Sequence, residues 1–202
     1  GNLIDAATIG TPPDQGDIQV FFAPTAAPNP SGIDDHLVAL IGRAEQHAYA
    51  AFYDLELEIV AEALIERHGA GVTVAVVSDS HYEERAAMQA VIDAGIPVVF
   101  DGRSPYMHNK FVVVDGQYVW TGSMNVTTNG AYRNNNNALL FASPKLAVNY
   151  TNEFMEMFED EDFGGRSPEN TTYPALTIGG IRVECYFAPE DDVEEEIVAE
   201  VN

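Results

Sequence analysis

The polar side chains best suited to chemistry lie between residues 108 and 125 of this 202-residue chain. His108 and Lys110 are two residues apart, and so are Ser123 and Asn125. Because alternate residues of a strand point to the same face, the two members of each pair share one side of the backbone. A neutral imidazole can attack phosphorus, while ammonium and amide groups can hold phosphate oxygens. The spacing therefore predicts a site for phosphodiester chemistry.

A predicted hairpin connects the two pairs. Asp115-Gly116 stands between two apolar runs, which is a strong signal for a tight turn. A turn at this point returns the chain, so that Ser123 and Asn125 converge with the first pair. Gly122 permits a close approach of the backbone beside them. We expect Asp115, at the turn itself, to orient the motif more than to contact substrate.

Together these residues read HxK, four residues, Asp, six residues and GSxN, and this pattern resembles the HKD signature of the phospholipase D superfamily at full spacing. The resemblance covers about residues 17–163. It implies a phosphohistidine mechanism in which two HxK motifs face each other across a pseudo-twofold axis, with no metal or other cofactor. One histidine is the nucleophile, and the other protonates the leaving oxygen and then activates water or an alcohol.

The resemblance also implies roles for individual residues. It assigns three residues to catalysis: His108, Lys110 and Asp115. It assigns three residues to binding of the substrate phosphate: Lys110, Ser123 and Asn125. Two further residues would support the site: Gly122 and Asn136. Relatives often carry a glutamate where Asn136 aligns, and it hydrogen-bonds a catalytic histidine, so the amide here would leave that histidine without its anionic partner.

Hydrophobic patterning along the rest of the chain alternates strands with helices. The predicted strands are 18–22, 49–55, 72–77, 96–100, 110–114, 117–121 and 137–142. The predicted helices are 34–48, 58–68, 80–94 and 145–158, and a capping box at 80–83 would open the third. Together with the resemblance, this alternation predicts an α/β domain in which helices sandwich a mixed, largely parallel sheet.

Four regions are predicted along the chain. Residues 1–16 form a flexible N-terminal arm, 17–163 the phospholipase D-like domain and 164–180 a linker. Residues 181–202 are predicted to be the first strand and helix of a truncated second repeat, because 185–189 matches 20–24 and 193–199 matches 33–39. A second HxK motif would then fall beyond this sequence, and the missing repeat or a homodimer partner would complete the active site.

Acidic residues outnumber basic ones by 32 to 9, giving a formal net charge of −23 that disfavours polyanions such as DNA. The acids are concentrated outside the motif, because 153–162 hold six and 190–200 hold seven, whereas 95–152 carry two acids against four Lys or Arg. This distribution indicates an acidic exterior around a locally cationic phosphate site. The single cysteine, Cys185, excludes an internal disulfide and a cysteine zinc site.

The leading interpretation is a phosphodiester-bond hydrolase that acts through a phosphohistidine intermediate on phospholipid. The first alternative is an endonuclease-like phosphodiesterase acting on nucleic acid, and the second is a non-catalytic, phosphate-binding half of a tandem protein. The signature recognises the phosphodiester and not its substituents, so lipid and nucleic acid both stay open. No apolar run approaches the roughly 20 residues of a membrane span, and we expect a soluble protein, either cytoplasmic or secreted with its signal peptide removed.

Overall fold

The computed structural model describes residues 16–24 and 32–201. Apart from Gly16, the predicted N-terminal arm lies outside these residues. The strands are β1 (Asp17–Ala23), β2 (His47–Phe52), β3 (Thr73–Ser78), β4 (Val98–Phe100), β5 (Lys110–Val114), β6 (Tyr118–Gly122), β7 (Asn136–Ala142), β8 (Ala175–Ile178) and β9 (Ile181–Glu184). The helices are α1 (Ile33–Ile41), α2 (Glu58–Gly69), α3 (Ala86–Asp93), α4 (Thr128–Tyr132), α5 (Pro144–Phe158) and α6 (Val193–Val201).

Seven strands form one sheet in the order β1-β7-β6-β5-β2-β3-β4. The predicted α/β class and mixed sheet are confirmed, but the expectation of a largely parallel sheet is wrong. The pairs β2–β3 and β3–β4 are parallel, while the other four pairs are antiparallel. Helix-length crossovers join β2, β3 and β4, as parallel pairing requires, whereas the tight turn at Asp115-Gly116 forces β5 and β6 to run in opposite directions.

The sheet separates two hydrophobic layers. Alternation along β5 places Val112 and Val114 in the layer beneath α1, α2 and α3, and Phe111 and Val113 in the layer beneath α5. The β8–β9 hairpin joins the second layer, where it buries Leu176. Both faces of the central strands are therefore covered, which explains their continuous apolar sequences.

Two predicted helices have different bounds in the structure. The helix expected over 34–48 ends at Ile41, because the backbone N–H groups of residues 45–47 donate to the Asp115 carboxylate and His47 begins β2. The helix expected over 80–94 begins only at Ala86. Residues 80–82 form a short 3-10 helix instead, and its N-cap is Asp79, not the serine that the capping-box pattern indicated.

The C-terminal region has regular structure within the predicted linker and beyond it. β8 lies within 164–180 and pairs with β9, and α6 follows. Cys185 is buried after β9, and the ring of Phe187 lies edge-on to Tyr150 of α5 at 5.1 Å. That residues 181–202 begin a second repeat stays a prediction. No helix within the described residues is both long and apolar enough to cross a bilayer.

Candidate active site

One end of the sheet brings most of the candidate residues together. β2 and β6 end where β5 and β7 begin, as the registers Phe52↔Lys110 and Gly122↔Ala138 show. His108 lies two residues before β5, and Ser123 directly follows β6. Neighbouring strands lie about 4.8 Å apart, so three adjacent strands place these side chains within one small region.

His108 lies exposed at this end and contacts the ring of Tyr53 edge-on, with centroids 4.6 Å apart. Partial burial and the positive charge of Lys110 lower the pKa of the His108 imidazole, while the charge of Asp79 acts in the opposite direction. The ring is therefore mainly neutral at pH 7, and a neutral imidazole retains the lone pair that a nucleophile needs.

Lys110 turns its ammonium group back over this region. Its Nζ donates to the backbone carbonyl of His108 at 2.7 Å and lies 4.9 Å from the centroid of the Tyr53 ring. Burial lowers the pKa of Lys110 to about 8. The group still carries most of its positive charge at pH 7.

Ser123 and Asn136 are held together by direct contacts. Ser123 Oγ donates to Asn136 Oδ1 at 3.0 Å and accepts from the backbone N–H of Asn137 at 3.1 Å. Asn136 Nδ2 donates to the carbonyl of Gly130 at 2.9 Å. The Asn136 amide thus connects Ser123 to α4, and its hydrogen bonds run to these two partners rather than to His108.

Close packing fixes the backbone around Asn125. A Cβ at Gly122 would lie 2.3 Å from the carbonyl oxygen of Asn137, and a Cβ at Gly130 would lie 2.1 Å from that of Asn125. Within the described chain, the side-chain oxygen of Asn125 is buried and has no hydrogen-bond partner. Buried polar atoms are normally paired, so this oxygen is an unsatisfied acceptor, and the Nδ2 group of the same amide is the donor suited to a phosphate oxygen.

Asp115 lies at the opposite end of β5, separated from the other candidates by the length of the strand. Its carboxylate accepts from the backbone N–H groups of Glu45, Gln46 and His47 at 2.8–3.0 Å. The structure therefore does not bring Asp115, which the resemblance grouped with the catalytic residues, to His108. Its contacts tie the β5–β6 turn to the loop before β2.

Five side chains that sequence reasoning did not assign to the site also surround His108. Four are rings in a chain of edge-on contacts: Tyr53, Tyr82, Tyr106 and His81. The fifth is Asp79, which is fully buried at the end of β3. An acid directly after a continuous apolar strand was the available signal, since parallel strands end at the same edge of a sheet. Tyr106 lies in the loop before His108 and is 57% exposed.

A cavity of about 310 Å³ opens beside this region, on the α5 side of the sheet. Its lining includes His108, Asn109 and Glu153. Glu153 accepts from Asn109 Nδ2 at 3.2 Å, and burial together with Glu190 raises its pKa to about 8. Across the part of the chain that the structure describes, no three His, Cys, Asp or Glu side chains are grouped so that they could hold a metal ion.

Comparison with known proteins finds one family model and several relatives that match this chain. A family model described as a cardiolipin synthase, PLD-like domain matches residues 37–158. The mitochondrial cardiolipin hydrolase of Xenopus tropicalis is 31% identical over 137 residues, which are 67% of this chain and 65% of that protein. The phospholipase D of Rickettsia prowazekii is 32% identical over 127 residues, 60% of either chain. The chain thus spans less than two thirds of the length of these relatives.

A solved structure shares the fold. The phospholipase D family member Nuc of Salmonella typhimurium superposes with a TM-score of 0.65 at 25% sequence identity, covering 75% of this chain and 99% of that one. The mixed sheet and its helices are therefore common to the two proteins.

Proposed function

The chain belongs to the phospholipase D superfamily, and from this membership we propose that it is a phosphodiester hydrolase acting through a phosphohistidine at His108. The observation that carries the proposal is the arrangement at one end of the sheet. There the mainly neutral imidazole of His108 lies beside the partly desolvated ammonium group of Lys110, and the segment that follows β6 adds Ser123 and Asn125. The imidazole is a nucleophile, and the Lys110 ammonium group and the Nδ2 group of Asn125 are donors for phosphate oxygens.

The proposed reaction has two steps. An imidazole nitrogen of His108 attacks phosphorus, the bond from phosphorus to the leaving oxygen breaks, and a general acid gives that oxygen a proton. Water then loses a proton to the same group, its oxygen attacks phosphorus, and the P–N bond breaks to restore His108. Lys110 and Asn125 bind the non-bridging oxygens in both steps, and Ser123 supports that end of the site.

The described residues hold one HxK motif, so we propose that a second imidazole supplies the general acid. A missing second repeat or a second copy of this chain would provide it. The match between 185–189 and 20–24 supports a second repeat. An isolated monomer is then expected to turn over little substrate.

Phospholipid is the substrate we propose first. The cardiolipin hydrolase and phospholipase D relatives support this choice, and the net charge of −23 opposes a strong electrostatic hold on a nucleic acid. One observation favours nucleic acid as the alternative, namely the partly exposed rings of Tyr106 and His81 beside His108. Exposed rings can stack on bases, and such binding depends little on net charge.

The experiment compares wild type, His108→Ala and His68→Ala as purified proteins. His68 lies at the end of α2 that faces away from the site, so it is the matched control. Hydrolysis of bis-p-nitrophenyl phosphate should be lost in His108→Ala only. Full activity of His108→Ala would overturn the proposed function, and full activity of a strictly monomeric wild type would overturn the shared-site proposal.

The substrate is tested with the same proteins on two natural phosphodiesters. Phosphatidylcholine or cardiolipin vesicles and a single-stranded DNA oligonucleotide are incubated in parallel, and the released products are separated by chromatography. Cleavage of lipid alone supports the first choice. Cleavage of DNA alone supports the alternative.

A further inference from the structure

Asp79 connects three parts of the molecule beside the nucleophile. One carboxylate oxygen, Oδ2, accepts from the backbone N–H of Met107, the residue before His108, at 2.9 Å. The other, Oδ1, accepts from the backbone N–H of His81 at 2.9 Å and contacts His81 Nδ1 at 2.7 Å. The side chain is fully buried, so these contacts are shielded from water and hold the entry to β5 against the end of β3.

Asp79 also carries a negative charge that raises the pKa of the His108 imidazole. Three described groups contact the imidazole or shift its pKa: Lys110 at the start of β5, Tyr53 after β2 and Asp79 after β3. Of these, Lys110 disfavours the protonated ring and Asp79 favours it. The titratable and charged groups around Asp79 itself are His81 and, one strand further, Asp101 with Arg103.

The position where relatives often carry the histidine-orienting acid is occupied by Asn136. Its amide contacts Ser123 and Gly130 and carries no charge. Any carboxylate that orients His108 therefore comes from elsewhere in the fold. The end of β3 is suited to this, because β3 runs parallel to β2 and ends at the same edge of the sheet.

We propose that Asp79 is the positioning residue of this active site, holding His108 through the backbone of Met107 and supplying the negative charge that Asn136 lacks. The inference rests on the proposed role of His108 but concerns a measurable property of the imidazole. Asp79 does not contact the reacting atoms in this arrangement. It sets the place of the imidazole and its basicity, and it couples both to the exposed ring of His81.

The test is a titration of the histidine Cε1–H signals by NMR, with the His108 signal assigned from its absence in His108→Ala. In Asp79→Asn we expect the pKa of His108 to fall by about one pH unit, because loss of a nearby negative charge disfavours the protonated ring. Asp101→Asn is the matched control, since Asp101 is equally buried after β4 and binds the backbone of Ser80. It should leave His108 unchanged, and the titrations of His36 and His47 should not move in either variant.

An unchanged His108 titration in folded Asp79→Asn would overturn the proposal, as would an equal shift in Asp101→Asn. Should Asp79→Asn fail to fold, Asp79→Glu tests the same idea, because it keeps the charge but moves it by one methylene group. A displaced His108 titration then supports the proposal, and an unchanged one overturns it. The titration needs no turnover, so a failure here is distinguishable from persistent hydrolysis by His108→Ala, which would instead overturn the proposed function.

Discussion

The polar groups at the two ends of β5 differ in how fully the fold itself satisfies them. At the turn, the Asp115 carboxylate accepts from three backbone N–H groups, and its hydrogen-bonding capacity is used within the fold. At the other end, which we call the open end, burial lowers the pKa of Lys110 to about 8. The buried side-chain oxygen of Asn125, after β6, has no hydrogen-bond partner within the described residues. Satisfied polar groups stabilise a fold, whereas a desolvated charge and an unpaired buried acceptor reduce its stability.

The residues of the HKD-like signature are close in sequence but lie at both of these ends. His108 and Lys110 lie at the open end, while Asp115 lies a full strand length away. The motif therefore contains residues of the site and a residue of the fold. Its spacing is fixed by the five-residue strand β5 and the tight turn that lie between them. The comparison predicts that substitutions at the open end reduce activity, and that substitutions at the turn reduce stability.

The largest effect is expected for Lys110→Met. Loss of the ammonium group should lower kcat/KM for bis-p-nitrophenyl phosphate by about 10²–10³-fold, the usual consequence of removing one group that stabilises a developing oxyanion. The melting temperature should not decrease, since a desolvated charge is replaced by an apolar chain of similar length. A decrease in melting temperature with retained activity would contradict the division between the two ends.

The pH dependence of activity tests the same role of Lys110. Wild-type activity should fall as pH rises above about 8, because the ammonium group then loses its proton. Lys110→Arg should keep its charge throughout this range. Its activity should be lower than wild type at pH 7 but should not decline between pH 8 and 9. A parallel decline in both proteins would assign the alkaline limb to another group.

A smaller effect, on stability, is expected at the turn. Asp115 has φ = +54°, and its carboxylate holds three N–H groups. Asp115→Ala should reduce the free energy of unfolding by about 2–3 kcal/mol in urea titrations, from lost hydrogen bonds and the strain of a left-handed alanine. Asp115→Asn is the control, because asparagine tolerates this conformation and keeps one acceptor oxygen. It should lose less than half as much stability.

The sequence predicts the turn between β5 and β6 correctly because the signal is local, an Asp-Gly pair between two apolar runs. That the i, i+2 spacing places His108 with Lys110 and Ser123 with Asn125 on one face stays a prediction. The mostly antiparallel pairing and the role of Asp79 were not predicted, because they depend on which strands become neighbours over long sequence separations. The helix expected over 34–48 ended early for the same reason, since a carboxylate about 70 residues away binds the N–H groups of 45–47.

The smallest effect concerns Glu153, which lies on the α5 face of the open end and accepts from Asn109. Burial first, and then the charges of Glu190 and Glu156, raise the pKa of Glu153 to about 8 from an ordinary value of 4.5. Because the folded protein favours the protonated carboxyl, the associated stability is present below pH 4.5 and is lost as pH rises through 8.

Glu153→Gln keeps the shape of the side chain and its contact with Asn109 but cannot ionise. Its free energy of unfolding in urea should exceed that of wild type by about 1–2 kcal/mol at pH 9, and the two should converge below pH 4.5. Glu159→Gln, six residues further along the chain and exposed, is the control and should follow wild type at every pH. Equal loss of stability by wild type and Glu153→Gln between pH 6 and 9 would show that this carboxyl is already ionised. The open end would then differ from the turn only on the face that carries His108.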